Sequence, residues 1–158
     1  MKFKIREMQA SEYGALETFL YAAIYIPAGA VKPAHEIIYQ PELQVYIKNF
    51  GEGTADFCFV AEVENEIVGA AWSRIMNDYG HIDNKTPSLA LSVLKNFRRA
   101  GIATALMKNL LEKISAEKFK RVSLSVQKEN LPAVNLYKKL GFKIFAENES
   151  EYIMIFEN

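Results

Sequence analysis

The sequence predicts one α/β (α+β) domain with a mixed, mostly antiparallel sheet of about seven strands and four flanking helices. The chain has 158 residues, the usual size of one domain. Half of its residues are hydrophobic and 24% are charged, as in globular proteins with a buried core. Segments with strand and helix periodicity follow the order β-α-α-β-β-β-α-β-α-β-β. We see no repeat or linker and therefore assign residues 1–158 to a single domain.

The first third of the chain predicts one strand and two helices. The alternating segment "FKIREM" indicates a first strand. A helix is predicted over "SEYGALETFLYAAI", with Ser11 as its N-cap and with Ala15, Phe19 and Ala22 close to helical spacing. Residues 25–41 carry three prolines and indicate a loop, and "ELQVYIKNF" predicts a short second helix that ends at Gly51.

The rest of the chain predicts six strands and two helices. Apolar and β-branched residues indicate strands in "DFCFVAEV", "EIVGAAWSRIM", "SLALSVL" and "RVSLSVQ", and a last hairpin in "FKIFAENESEYIMIFEN". A helix over residues 101–119 presents Ile102, Leu106, Leu110 and Ile114 as one apolar stripe. The second helix, "NLPAVNLYKKLG", has proline in its first turn and glycine at its end.

Composition excludes some classes of function. Lysine plus arginine equals aspartate plus glutamate, so the net charge is zero, and we expect neither a nucleic-acid-coating nor a membrane-coating protein. The single cysteine, Cys58, lies in an apolar strand and is interpreted as a small buried residue. One cysteine cannot form an internal disulfide, and no segment resembles a signal peptide or a membrane span, so we expect a cytoplasmic protein.

The segment "FRRAGIA", residues 97–103, combines two cations with small residues where a helix begins. The first amides of a helix have no internal partner and lie at the positive end of its dipole. Gly101 and its small neighbours allow a ligand to approach the main chain, and Arg98 and Arg99 can donate to phosphate oxygens. The segment therefore predicts a phosphate or diphosphate site, although a charged helix start without a ligand is an alternative at this point. No Gly-Lys-Ser/Thr follows, and one glycine stands where a dinucleotide fingerprint has three.

Arg98-x-x-Gly101-x-Ala103 resembles the acetyl-CoA-binding motif Arg/Gln-x-x-Gly-x-Gly/Ala of the Gcn5-related N-acetyltransferase (GNAT) superfamily. The segment "ENLPAVNLYKKLGF" resembles the second signature of that family, and "EIVGAAWSRI" resembles one of its core strands. The order of elements matches from end to end. The chain departs from the family pattern at Lys95, where proline is frequent, and at Arg99, where glycine is frequent.

This resemblance implies that acetyl-CoA lies between two splayed strands. The pantetheine would bond to main-chain groups near Leu91 and Val93, and Asn130 and Ala133 would line the opposite wall. The diphosphate would sit on the loop and first helical turn formed by Arg98, Arg99, Ala100, Gly101, Ile102, Ala103 and Thr104.

The resemblance also implies transfer of an acetyl group to a primary amine without a metal. It places Tyr137 at the sulfur as general acid, and Ala133, Leu136 and Leu140 share a helix face with it. Many relatives carry a glutamate on the strand that here reads "SLALSV", which has no ionisable side chain. Glu36, His81 and Asp83 are the alternative base candidates, with a water chain from any of them equally open.

The acceptor is expected to contact residues 25–41 and 72–84. The candidate contacts are aromatic or charged: Tyr25, His35, Tyr39, Trp72, Arg74, Asp78 and Tyr79. They suit a small amine, an amino acid or a peptide N-terminus. A non-catalytic acyl-CoA-binding or regulatory module, a longer acyl donor and a homodimer paired through the last hairpin remain alternatives.

Overall fold

The computed structural model describes all residues from 1 to 158, and its helices and strands follow the predicted order, which confirms the predicted fold class. The strands are β1 (Lys4–Glu7), β2 (Phe57–Val63), β3 (Glu66–Arg74), β4 (Ser88–Val93), β5 (Arg121–Gln127), β6 (Lys143–Glu147) and β7 (Glu151–Glu157). The α-helices are α1 (Leu16–Ala23), α2 (Pro41–Gln44), α3 (Ile102–Ala116) and α4 (Leu131–Leu140). Short 3-10 helices cover Ala10–Ala15, His35–Tyr39 and Lys95–Phe97.

All seven strands form one sheet in the order β1-β2-β3-β4-β5-β7-β6. Every neighbouring pair is antiparallel except β4 and β5, which run parallel in the middle of the sheet. A parallel pair needs a long crossover, and α3 provides it. The sheet is therefore mixed and mostly antiparallel, with its one parallel pair at the centre.

The two faces of the sheet bury separate apolar cores. On one face, Val122, Leu124 and Val126 of β5 pack with the predicted stripe of α3. On the other face, Trp72 and Phe19 lie in a second core beneath α1 and the segment around α2. Strand side chains alternate between the faces, so the serines of β4 and β5 project toward the α1 face. None of the helices combines the length and the apolar character that crossing a bilayer requires.

Two local predictions differ from the structure. The N-cap of the first helical segment is Gln9 instead of Ser11, because the Glu12 carboxylate accepts the Gln9 amide at 2.8 Å and pairs with Arg6 at 2.8 Å. The second helix ends at Gln44, and turns follow it. The carbonyl of Val45 accepts a hydrogen bond from Arg74 at 3.2 Å and is not used to extend the helix.

The last hairpin forms as predicted, and β6 is the edge strand of the sheet. Every residue of β6 is exposed, including the apolar Ile144 and Phe145. Cys58 is buried in β2, and burial raises the pKa of its thiol, so the thiolate needed for nucleophilic chemistry is disfavoured.

Candidate active site

The parallel strands β4 and β5 separate immediately after they meet. Their ladder contains one pair of residues, Ser88 and Ser123, supported by a bond of 3.0 Å from the Ser123 amide to the Pro87 carbonyl. Beyond that pair, β4 continues to Val93 and β5 to Gln127 without pairing with each other. A gap thus opens in the middle of the sheet toward the carboxyl ends of both strands.

The main chain of β4 presents alternate residues to this gap. The Leu94 amide donates to the Val68 carbonyl of the antiparallel neighbour at 2.9 Å. Since hydrogen-bonded residues alternate along an antiparallel ladder, the N–H and C=O groups of Leu91 and Val93 point away from β3 and toward the gap. Leu91 and Val93, which were predicted to bond a pantetheine through their main chain, are therefore the residues whose main-chain groups do not pair with β3.

The gap leads to the amino end of α3. Gly101 is the residue before the helix and has a φ of 83°, which favours glycine, and Arg99 also has a positive φ of 64°. The first bond of the helix runs from the Ala105 amide to the Gly101 carbonyl at 3.1 Å, and no side chain caps this end. The amides from Ile102 to Thr104 therefore have no partner within the helix and can bind an anion.

A cavity of about 170 Å³ lies at this helix start. It is lined by Val93, Phe97, Arg98, Arg99, Gly101, Ile102, Ala103 and Thr104. Seven of these residues were predicted to contact the diphosphate or pantetheine, and Phe97 is new. Arg98 anchors the rim, because its Nε donates to the Val93 carbonyl at 2.8 Å, while the side chain of Arg99 is exposed. A larger cavity of about 390 Å³ between α3 and α4 contains none of the predicted site residues.

The opposite wall of the gap is formed by β5 and the start of α4. Asn130 is the N-cap of α4, and its side-chain oxygen accepts the Ala133 amide at 3.4 Å. Its side chain is thus engaged in stabilising the helix, which the sequence analysis did not foresee. Ala133 is partly buried against the core that contains α3.

Tyr137 lies on the buried face of α4 and is 8% exposed. Its ring packs on Phe142 with centroids 5.7 Å apart. Burial raises the pKa of the Tyr137 phenol, so the side chain is neutral and keeps its proton at pH 7. A neutral phenol in an apolar setting has the chemistry required of a proton donor.

The three predicted base candidates differ in their surroundings. Glu36 lies exposed on the 3-10 helix His35–Tyr39. The Nδ1 atom of His81 is buried without a hydrogen-bond partner. Asp83 accepts the Lys85 amide and pairs with Arg121 at 2.9 Å. Together with Thr86, these contacts lower the pKa of Asp83 to about 2, which makes it a weak base, so its proposed role is not supported.

Sequence analysis did not identify Tyr46 as a site residue and did not connect it with Asp78. The Ser88 hydroxyl donates to Asp78 at 2.8 Å, and the Tyr46 phenol lies beside the Asp78 carboxyl. Asp78 occurs in a polar loop without periodicity, and Tyr46 follows a short helix. No spacing in the sequence connects the two residues, since 32 positions separate them.

Two predicted acceptor contacts were wrong. Trp72 is 0% exposed, and its indole N–H donates to the Tyr46 carbonyl at 3.0 Å, so it belongs to the core. Arg74 is buried and bonds both carboxylate oxygens of Asp56 at 3.2 and 2.9 Å. It also donates to the carbonyls of Val45 and Lys48, which leaves no free donor fork for a substrate carboxylate.

We expect Arg74→Met to lower the free energy of unfolding by about 3 kcal/mol, because it leaves the Asp56 carboxylate buried without its cation. Urea unfolding measures this loss. The KM for the acceptor should stay within about twofold of wild type at a temperature where the variant is folded. A tenfold rise in KM without loss of stability would return Arg74 to the acceptor site.

The remaining predicted acceptor contacts lie on the loop after α1, in the 3-10 helix His35–Tyr39 and in the turn after β3. The His35 ring lies between the rings of Tyr21 and Tyr39, with centroids 5.0 and 6.4 Å away. Tyr25 is partly buried at the start of the same loop. Tyr79 is 52% exposed. Local desolvation, followed by the charges of Glu42 and Glu151, raises its pKa, which indicates that both carboxylates are near its phenol.

A sequence model of the Acetyltransferase (GNAT) family matches residues 27–142, which include the loop before α3, α3 itself and α4. The chain belongs to this family and is an acyltransferase enzyme. More particularly, it is an N-acetyltransferase of the GNAT type.

Relatives with assigned functions and solved structures agree with this class. The chain is 38% identical over 127 residues to an N-alpha-acetyltransferase of Sulfurisphaera tokodaii, covering 69% of this chain and 73% of the relative. A PaiA N-acetyltransferase from Thermoplasma acidophilum in complex with coenzyme A has a TM-score of 0.74 at 16% identity, with 100% of both chains covered. The ribosomal-protein-S18-alanine N-acetyltransferase of Escherichia coli has a TM-score of 0.68 at 16% identity, covering 99% of this chain and 94% of that chain. These two structural matches establish the likeness of fold.

Proposed function

We propose that the enzyme transfers the acetyl group of acetyl-CoA to the α-amino group of a peptide or protein N-terminus, by direct attack in a ternary complex. The observation that carries the coenzyme assignment is the gap between β4 and β5, which ends at an uncapped helix start with free amides. One side of the gap offers the main-chain groups of Leu91 and the Val93 amide, which do not pair with β3, as a pantetheine amide chain requires. The other end offers N–H donors and arginine charge, as a diphosphate requires.

The acceptor assignment is supported by the relatives, whose name specifies the α-amino group as the site of acetylation. The segments near the gap carry carboxylates, among them Glu36 in the 3-10 helix His35–Tyr39, Glu42 in α2 and Glu151 at the start of β7, together with exposed aromatic side chains. Carboxylates attract the ammonium group of an N-terminus, and tyrosine rings can pack on its first side chains.

The exposed edge of β6 also supports pairing with a second copy of the chain, as a proposal for its assembly.

Different residues of the gap then bind the coenzyme, stabilise the negative charge on the carbonyl oxygen and donate a proton to the sulfur. The cavity at α3 binds the coenzyme by its diphosphate and so fixes the thioester relative to β4. The Val93 amide, which points into the gap, donates to the oxygen of the thioester carbonyl as negative charge develops there. Tyr137 gives its proton to the sulfur as the carbon–sulfur bond breaks.

Calorimetry with acetyl-CoA, followed by acetylation assays, tests the proposal. Matched peptides should be used, one with a free α-amine and a blocked lysine, the other with a blocked α-amine and a free lysine. We expect binding of acetyl-CoA, release of thiol with the first peptide, and a mass increase of one acetyl group on its N-terminus. Acetylation of the lysine peptide alone would overturn the acceptor assignment. Absence of any heat of binding would overturn the coenzyme site.

A further inference from the structure

A polar cluster lies on the α1 face of the sheet where β4 and β5 separate. Ser88, the only β4 residue that pairs with β5, donates its hydroxyl proton to Asp78 Oδ1 at 2.8 Å. Ser125 projects from the part of β5 that does not pair with β4, two residues beyond Ser123. Burial, followed by the charge of Asp78, raises the pKa of the Tyr46 phenol, which indicates that the Asp78 carboxyl is near it, with the Ser125 side chain as a further neighbour. The cluster therefore spans the point at which the gap opens.

The turn that carries Asp78 is held firmly on β5. The Ser123 hydroxyl donates to the Gly80 carbonyl at 2.7 Å. A Cβ atom on Gly80 would lie 3.0 Å from main-chain atoms of Leu124 and Ser125, so only glycine allows this approach. Tyr46 is fixed as well, because its carbonyl accepts the buried indole N–H of Trp72. Neither partner of the cluster is on a freely moving segment.

Asp78 differs from Asp83, the other aspartate of this loop, because no cation pairs with its carboxylate. Its Oδ2 atom is buried and accepts no hydrogen bond, and no lysine or arginine pairs with it. The Tyr46 phenol is the titratable side chain near it, while Tyr79 and His81 follow Asp78 in the same turn, where the His81 amide donates to the Asp78 carbonyl at 3.2 Å. Burial raises the pKa of Asp78, and hydrogen bonds from Ser88 and the Gly80 amide offset part of that rise. A buried carboxylate with an unused oxygen costs stability, and such arrangements concentrate at catalytic sites.

We propose that Tyr46 and Asp78 form the proton relay that deprotonates the acceptor amine, with the phenol touching the amine and Asp78 receiving the proton through it. The assignment rests on the proposed function and supplies the base that β4 lacks. The relay lies on the α1 face, whereas Tyr137 lies in the core on the opposite face. The relay would therefore remove the proton of the amine on one side of the thioester, and Tyr137 would protonate the departing sulfur on the other side.

The proton balance of the reaction is complete with these groups. The acceptor ammonium loses one proton through Tyr46 to Asp78, and its freed electron pair forms the carbon–nitrogen bond. The carbon–sulfur bond breaks, and the sulfur takes the proton of Tyr137. The nitrogen loses a second proton, which restores Tyr137 through solvent, and Asp78 releases its own proton to solvent. One ammonium and one thioester thus give one amide, one thiol and one free proton.

The pH dependence of kcat/KM tests the relay. In the wild type, activity on the acid side should follow the ionisation of Asp78. In Asp78→Asn only the neutral amine reacts, so the acid midpoint should move to the acceptor α-amine, about pH 7.7–8.0. We expect kcat/KM of Asp78→Asn to fall about 20-fold near pH 6.5, because only about one α-amine in twenty is neutral there, and the loss to shrink above the amine midpoint. Tyr46→Phe should show the same pattern.

Two further variants separate a relay from a structural role. Ser88→Ala removes a hydrogen bond that lowers the pKa of Asp78, so the acid midpoint should move to higher pH with the fold intact. Asp83→Asn is the matched control, since it changes a carboxylate of the same loop that is held by Arg121 and should leave the profile unchanged. Carbon-13 NMR of the carboxyl groups in the protein without ligand should show Asp78 titrating above the ordinary aspartate value, about 3.9.

The results of these experiments distinguish a failure of the proposed function from a failure of the relay. If the wild type acetylates no amine, the proposed function fails. If the wild type acetylates the peptide and Asp78→Asn keeps the wild-type acid midpoint, the relay is wrong and the function stands. Coenzyme binding by calorimetry should be unchanged in Asp78→Asn and Tyr46→Phe. If Asp78→Asn does not fold, Tyr46→Phe and Ser88→Ala carry the test, and an unshifted midpoint in both overturns the relay.

Discussion

Tyr137→Phe is expected to lower kcat about 1000-fold at pH 7 while the affinity for coenzyme A stays within about twofold. The substitution keeps the ring that packs on Phe142 and removes only the hydroxyl. Burial raises the pKa of that phenol, so the wild-type enzyme holds a proton there throughout the neutral range. Without it, the sulfur leaves as an unprotonated thiolate. Steady-state kinetics and calorimetry with coenzyme A measure the two effects.

Tyr13→Phe is the matched control for this experiment. It removes the same hydroxyl from a tyrosine that stacks on Phe50, in the other core of the protein. Its kcat should equal that of the wild type. If Tyr137→Phe also retains kcat within about threefold, the phenol only packs and another group protonates the sulfur.

Thr104→Glu is expected to weaken acetyl-CoA binding at least about 100-fold, or about 2.7 kcal/mol, without loss of folding stability. Thr104 lines the cavity at the start of α3. A glutamate there occupies part of the cavity and repels a diphosphate. The same negative charge interacts favourably with the helix dipole, by about 0.3–1 kcal/mol. Binding and stability should therefore change in opposite directions, as measured by calorimetry and by urea unfolding.

Thr104→Gln separates charge from size, because glutamine has almost the same volume as glutamate and no charge. It should weaken binding by no more than about tenfold. Raising the salt concentration should recover part of the loss in the glutamate variant and little of the loss in the glutamine variant. Equal losses in both variants, independent of salt, would show that the diphosphate does not bind at this helix start.

The sequence was sufficient for the order of elements and for the position of the helix start at which the coenzyme is proposed to bind. Both depend on local patterns, since helix and strand periodicity, proline in a first turn and glycine at a helix boundary act over a few neighbouring residues. The loop from Arg98 to Thr104 was predicted for the same reason. The proposed function of this loop depends on main-chain amides that any helix start leaves unpaired. The residues that form the loop are also consecutive in the chain, so a local pattern is enough to find it.

The tertiary structure alone decided which side chains face the gap. Trp72 and Arg74 have the residue types of a binding site, yet their strand turns them toward the core, where Tyr46 and Asp56 use their donors. Asp78 and Tyr46 meet only because the turn after β3 and the segment after α2 pack on the same edge of the opened strands. Sequence patterns determine what a residue does within its own element. Burial and pairing between distant segments determine whether a charged or aromatic side chain stabilises the fold or reaches a ligand.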